Sequence, residues 1–156
     1  MNQDVRIRNI TAIDLDALFQ IQSDPESNRV AFMKPQDRLS FDRRWAKIMT
    51  DPDVFVRAVV YREVFVGCVS CFPSDGSTCV GYWIDRRYWG KGIASESMRL
   101  LLVEVPVRPL RALVAVSNVA SARVLEKCGF EETGRRWSTE SDRFVECEEV
   151  IMELSE

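Results

Sequence analysis

The chain contains no histidine. That absence removes Ser–His and Cys–His nucleophilic machinery and every histidine-based metal site. Acid–base work must then fall to Asp, Glu, Cys, Tyr, Lys, water or the backbone. There is also no apolar run of about eighteen residues, so no membrane span is expected. A basic excess is missing too: 21 Lys and Arg stand against 24 Asp and Glu, a net charge of −3. That balance argues against a nucleic-acid partner. No repeat, low-complexity tract or Pro/Gly/Ser-rich linker interrupts the sequence. Residues 1–156 are therefore expected to form one domain around one core. The opening MNQDVRIRNI lacks the basic-then-apolar layout of a secretory signal, which makes the cytoplasm the expected location.

Five cysteines are present: Cys68, Cys71, Cys79, Cys128 and Cys147. An odd number without a signal segment reads as reduced thiols, and no metal site is expected. Cys68 and Cys71 have C-x-x-C spacing. They fall inside a strand-like run, where residues three apart point to opposite faces. No second C-x-x-C exists to complete a zinc site.

The apolar pattern changes period along the chain. Val5, Ile7 and Asn9 form an imperfect strand. Thr11 caps a helix with Asp14 as its partner, and Leu15, Leu18 and Phe19 give that helix one apolar face before Asp24-Pro25 ends it. Glu26 to Leu39 reads as an irregular connection containing at most a short helical piece. Ser40 is the expected cap of a second helix, with Phe41, Trp45, Ile48 and Met49 at helical spacing. Val54–Tyr61, Val64–Phe72 and Ser77–Asp85 read as an antiparallel meander. Met98, Leu101, Leu102 and Val105 mark a helix stopped by Pro106. Arg111–Val116 reads as a buried strand, and Asn118–Cys128 as a helix with Gly129 as its left-handed C-terminal cap. Two last strands are expected near Phe130–Trp137 and Phe144–Leu154. This order implies an α/β (α+β) domain: a mixed, mostly antiparallel sheet flanked by helices.

One stretch, Asp85 to Met98, carries the chemistry: DRRYWGKGIASESM. A turn of Gly90-Lys91-Gly92 ahead of a helix is a conformational device in its own right. It also exposes unsatisfied N–H groups at the positive end of the helix dipole, where an anion binds. The P-loop is excluded, because Gly92 stands where Ser or Thr belongs. The dinucleotide fingerprint is excluded as well, since Ser95 occupies its last glycine position.

Two segments together resemble the GCN5-related N-acetyltransferase superfamily. The first is Gly81-Tyr82-Trp83-Ile84-Asp85 followed by Tyr88-Trp89-Gly90-Lys91-Gly92-Ile93-Ala94-Ser95-Glu96. The second is Asn118 to Phe130, with Ser121, Arg123 and the Gly129-Phe130 exit. The wording is most similar to the branch that includes ribosomal-protein N-terminal acetyltransferases. The resemblance implies acetyl-coenzyme A as co-substrate and an amine acceptor, either a protein N-terminus or a small molecule. It implies that the backbone of Trp83, Ile84 and Asp85 pairs with the pantetheine arm. Trp89, Gly90, Lys91, Gly92, Ile93, Ala94 and Ser95 would hold the pyrophosphate, and Asn118, Ser121 and Arg123 would approach the cofactor. Lys127 is a further candidate for a nucleotide phosphate.

The chain departs from the family where side chains do acid–base work. Leu125 stands where a tyrosine proton donor is frequent, and Cys79 roughly where an acidic residue is frequent. The candidates for catalysis are Cys79, Asp85, Glu148, Glu149 and the backbone of Trp83. A non-catalytic acyl-coenzyme A sensor on the same fold is the alternative. Arg29, Lys34 and Arg38 would favour an acidic acceptor, and Trp45, Trp83, Trp89 and Trp137 could line a cleft. The expected assembly is a monomer or a homodimer.

Overall fold

A computed structural model describes residues 3–156; Met1 and Asn2 lie outside the described residues. The elements run β1 (Val5–Asn9), a 3-10 turn (Ala12–Asp14), α1 (Leu15–Gln22), α2 (Pro25–Ala31), α3 (Arg38–Thr50), β2 (Phe55–Tyr61), β3 (Val64–Ser74), β4 (Ser77–Ile84), a second 3-10 turn (Arg86–Tyr88), α4 (Ile93–Glu104), β5 (Leu110–Ala115), α5 (Val119–Lys127), β6 (Glu131–Ser138) and β7 (Cys147–Leu154). The seven strands form one sheet in the order β1-β2-β3-β4-β5-β7-β6. Every neighbouring pair is antiparallel except β4 and β5. This is the mixed α/β architecture expected from the element order.

Strand alternation divides the buried side chains between two faces. Val69, Cys71, Val80, Ile84, Val114 and Met152 pack with Met98 and Leu101 of α4 and Leu125 of α5. Ala58 and Cys68 pack on the other side with Leu18 of α1 and Phe41 and Trp45 of α3. Cys68 and Cys71 thus lie in separate cores, as their spacing requires. Burial pushes the Cys68 thiol up to about 12.

The largest departure from expectation is between residues 25 and 39. Asp24 caps a real helix, α2, by accepting from the Ser27 N–H at 3.0 Å, with Pro25 at its first position. Proline is tolerated there because that N–H has no partner in a helix anyway. The cap of α3 is Asp37 and not Ser40: the Asp37 carboxylate accepts from the Ser40 N–H at 2.7 Å. Either residue type can cap, and the earlier one wins because it lengthens the helix by a turn. The last strand begins at Cys147; Phe144 makes only an isolated bridge to Met33. Gly129 has φ +94°, the left-handed cap expected of it.

Candidate functional site

The parallel pair β4 and β5 is bonded at a single position, Cys79 opposite Arg111. Beyond it the strands separate, although β4 stays paired with β3 as far as Ile84 opposite Gly67. β5 likewise stays paired with β7 as far as Ala115 opposite Glu149. The sheet therefore opens into a wedge between Val80–Ile84 and Ala112–Ala115. Backbone groups of β4 that point away from β3 face this gap and can bond an extended ligand arm as an added strand would.

The glycine loop stands beside the wide end of the wedge. Asp85 follows β4 and caps the 3-10 turn, accepting from the Arg87 N–H at 3.0 Å. Trp89 closes that turn, and its indole N–H donates to the Ile84 carbonyl at 2.9 Å. Gly90 and Gly92 both have left-handed backbones, with φ +77° and +76°, and Gly92 is the N-cap of α4. A side chain at either glycine would meet no protein atom within 4 Å. The glycines are needed for backbone angle, and the space above them is free for a ligand. An open groove of about 680 Å³ runs past Gly92, Ser95, Glu96, Arg99, Lys127 and Cys128. The Glu96 carboxylate in this groove is bonded by Arg99 at 2.5 and 3.0 Å, which offsets its charge. Ile93 is buried and anchors the first turn. The Ser95 carbonyl receives the Cys128 thiol at 3.6 Å, holding α4 against α5.

On α5, Asn118 caps the helix, accepting from the Ser121 N–H at 3.3 Å. The Ser121 hydroxyl lies 2.8 Å from the Tyr82 hydroxyl, a bond that ties α5 to β4. Burial raises the Tyr82 pKa, which keeps the phenol protonated and makes it a weaker acid than a free tyrosine. Tyr82 belongs to the Gly-Tyr-Trp run, but the sequence gives it no role. Its alternation with the buried residues Val80 and Ile84 is the signal that it faces α4 and α5. Lys127 lines the groove, whereas Arg123 is exposed and does not.

The opposite mouth of the wedge is built by α1, α2, α3 and the segment joining β6 to β7. The Trp83 indole N–H donates to the Ile21 carbonyl at 3.3 Å. Arg86 clamps Asp24 at 2.8 and 3.1 Å, joining the end of β4 to the start of α2. The β6–β7 segment docks on the residues after α2: the Lys34 N–H donates to the Arg143 carbonyl at 2.7 Å and the Val145 N–H to the Phe32 carbonyl at 2.9 Å. A narrow pocket results, lined by Phe19, Gln22, Ser23, Asn28, Lys34, Gln36, Phe41, Trp83 and Arg143.

The candidate acid–base groups do not converge on one point. Cys79 is buried, and burial pushes its thiol up, the wrong direction for a base at neutral pH. Arg87 bonds Asp85 and holds its carboxyl below the usual range, so it is a weak proton acceptor. Glu148 is exposed. Glu149 shares the Trp83 face, is only 14% exposed, and pairs with Arg136 at 3.2 Å. Among the four tryptophans, only Trp83 lines the narrow pocket. Trp45 is core, Trp89 is 44% exposed, and Trp137 is 61% exposed on the edge strand β6. Arg29 and Arg38 are paired with Glu26 and with Asp16 and Asp42. Among the described residues no group of three or more Cys, Asp or Glu could hold a metal, and no helix is long and apolar enough to cross a membrane.

Comparison with known proteins follows the same lines. The family model described as an acetyltransferase (GNAT) domain matches residues 4–131. The Bacillus subtilis (strain 168) probable N-acetyltransferase YjcK is 39% identical over 118 residues, 70% of this chain and 60% of YjcK. The fold is shared with the spermidine N-acetyltransferase of Vibrio cholerae, solved with CoA and spermine: TM-score 0.84, 18% identity, 99% of this chain and 96% of the other. It is shared as well with the microcin C7 self-immunity acetyltransferase MccE, solved with acetyl-CoA and AMP: TM-score 0.81, 18% identity, 99% and 93% covered.

Proposed function

This chain belongs to the GNAT acetyltransferase family, and from that premise we propose that it transfers the acetyl group of acetyl-coenzyme A directly to a primary amine in a ternary complex. The observation that carries the reading is the wedge. One strand pairing at Cys79–Arg111 leaves the rest of β4 unpaired on that side, with the glycine loop just beyond its end and the Trp83 pocket beside it.

In this reading, β4 between Val80 and Ile84 bonds the pantetheine arm. The N–H groups from Gly90 to Ser95 hold the pyrophosphate at the positive end of α4, with Lys127 flanking the groove and Asn118 and Ser121 beside the arm. The amine enters past Trp83. Its nitrogen lone pair forms the new C–N bond as the thioester carbonyl becomes an oxyanion. A backbone N–H near Trp83 or Ile84 stabilises that charge. The C–S bond then breaks, and the thiolate takes a proton from Tyr82, which recovers one through Ser121 and solvent. The proton lost by the amine passes to water or to Glu149. Holding both reactants in line supplies up to roughly 7–11 kcal/mol of the barrier, more than side-chain acid–base help at ~10²–10⁴-fold.

The fold leaves the acceptor open. One neighbour was solved with spermine, a polycation, and another with AMP, an anion. The raised thiol at Cys79 and the apolar Leu125 favour a second reading, a non-catalytic acyl-coenzyme A sensor. Thiol release from acetyl-coenzyme A, measured across peptides, polyamines and aminoglycosides, separates the two. Amine-dependent release supports the transferase. Tight coenzyme binding with no release on any of these amines supports the sensor.

A further inference from the structure

Among the described residues, most of the seventeen arginines are neutralised. Twelve of them make ion pairs, among them Arg8 with Asp14 and Arg111 with Glu153. Arg43, Arg44, Arg108, Arg123 and Arg143 do not, and of these Arg44, Arg108 and Arg143 are partly buried. The Arg44 Nη1 is fully enclosed and has no hydrogen-bond partner. The Arg143 side chain lines the pocket beside Trp83, and none of the pocket's other lining residues is an acid. Lys34, also in that lining, is already paired with Glu140 at 3.2 Å. Burial first, and then the Arg44 charge, push Arg143 down to about 10. Burial likewise lowers Arg44. The pocket holds one orphan acceptor as well, the enclosed Gln22 Oε1.

Partly buried like charges without counterions cost stability, and an unmatched acceptor adds to that cost. Such an arrangement is retained where a ligand completes it. We infer that the acceptor is a small primary amine carrying a carboxylate or phosphate, its oxyanion received by Arg143 and its amine steered toward Gln22 and Trp83. Guanidinium is suited to this task, since it offers a planar fork of donors that matches an oxyanion. The absence of an acid in the lining disfavours a polycation. This inference rests on the acetyl-transfer reading for its chemistry, but the anion site itself can be detected without turnover.

The test uses the intact protein with coenzyme A or acetyl-coenzyme A. Thiol release is compared for β-alanine and β-alaninamide, for phosphoethanolamine and ethanolamine, and for tripeptides beginning with aspartate or asparagine. Thermal shifts of the coenzyme A complex are recorded with the same compounds. Each small acidic compound is expected to have a KM roughly 10- to 100-fold below its neutral counterpart, the worth of charge-assisted hydrogen bonds. A preference confined to the aspartyl peptide would overturn the small-molecule assignment. Arg143→Gln should erase the preference, Arg143→Lys should keep part of it, and the exposed Arg43→Gln should leave it intact. Removing one repelling charge should also hold or raise the thermal midpoint, an outcome that a merely structural arginine would not give. Equal or better turnover of neutral or polycationic amines overturns the inference while leaving acetyl transfer standing. If no amine is turned over, but the acids still stabilise the complex through Arg143, the anion site stands and the transfer reading fails. If neither acids nor amides stabilise it, the inference fails.

Discussion

Gly92 separates the two things that a glycine loop can do. Its φ of +76° costs an L-residue about 1–2 kcal/mol. Gly92→Ala pays this in the free and the bound protein alike. It should lower the thermal midpoint by about 2–8 °C for a chain of this length and leave coenzyme A affinity nearly unchanged. Gly92→Glu carries the same strain and adds a charge in open space, where no protein atom lies within 4 Å. A carboxylate about 5 Å from each of two phosphate charges in water costs about 0.8 kcal/mol per pair, or about 1.7 kcal/mol in all. That is a loss of roughly fifteen-fold at low ionic strength, shrinking toward about five-fold at 0.15 M because the Debye length is then about 8 Å. Isothermal titration with coenzyme A at two salt concentrations reads both numbers, and a melting curve reads the strain. A Gly92→Glu protein that melts like Gly92→Ala but binds coenzyme A as the unaltered chain does would refute the placement of the pyrophosphate.

Three further outcomes follow from the same geometry. Tyr82→Phe removes the hydroxyl bonded to Ser121 at 2.8 Å. It should cost about 0.5–1.5 kcal/mol of stability but lower kcat by roughly 10²-fold with KM for the acceptor unchanged, and an unaltered kcat would exclude Tyr82 as proton donor. A Cβ at Gly67 would stand 1.9 Å from the Trp83 carbonyl oxygen, so Gly67→Ala should destabilise by about 4 kcal/mol or more and yield little folded protein; a normal melting curve would show that β3 and β4 are not so close there. Arg8 bonds Asp14 at 2.8 and 2.9 Å and holds its carboxyl below the usual range. A depressed folded pKa gives stability that is present above the unfolded value of about 3.9 and lost as pH falls through the folded one. The melting midpoint should therefore drop on acidification below about pH 4, and Asp14→Asn should flatten that drop; an unchanged acid profile would remove Asp14 from the cause.

Elements whose signal is local were legible in the sequence. The meander, the two helices after it and the Gly129 cap each follow from period and turn chemistry, as does the division of Cys68 and Cys71 between two cores. The cap at Asp37 was obscured because Ser40 is an equally good capping type three residues on. α2 was obscured because Pro25 reads as a terminator from the left and as a first helical residue from the right. The proposed cofactor side of the site lies in two continuous segments, so motif order points to it. The proposed acceptor side is assembled from α1, α3 and a loop about a hundred residues later in the chain. Arg143 has no periodic context there. Arg44 did leave a trace: it falls three residues after Phe41 and four before Ile48, on the apolar stripe of α3, where a charged residue is out of place. The basic residues that stand out by sequence, Arg29 and Arg38, are the ones neutralised in the fold.

Direct transfer in a ternary complex is tested most directly by initial-rate thiol release, with acetyl-coenzyme A and the preferred amine varied together and the acetylated amine identified by mass spectrometry. Direct attack in a ternary complex predicts intersecting double-reciprocal lines and one acetylated amine per thiol released. Thiol release that is independent of the amine, or parallel lines with acetyl retained on the protein, would contradict it.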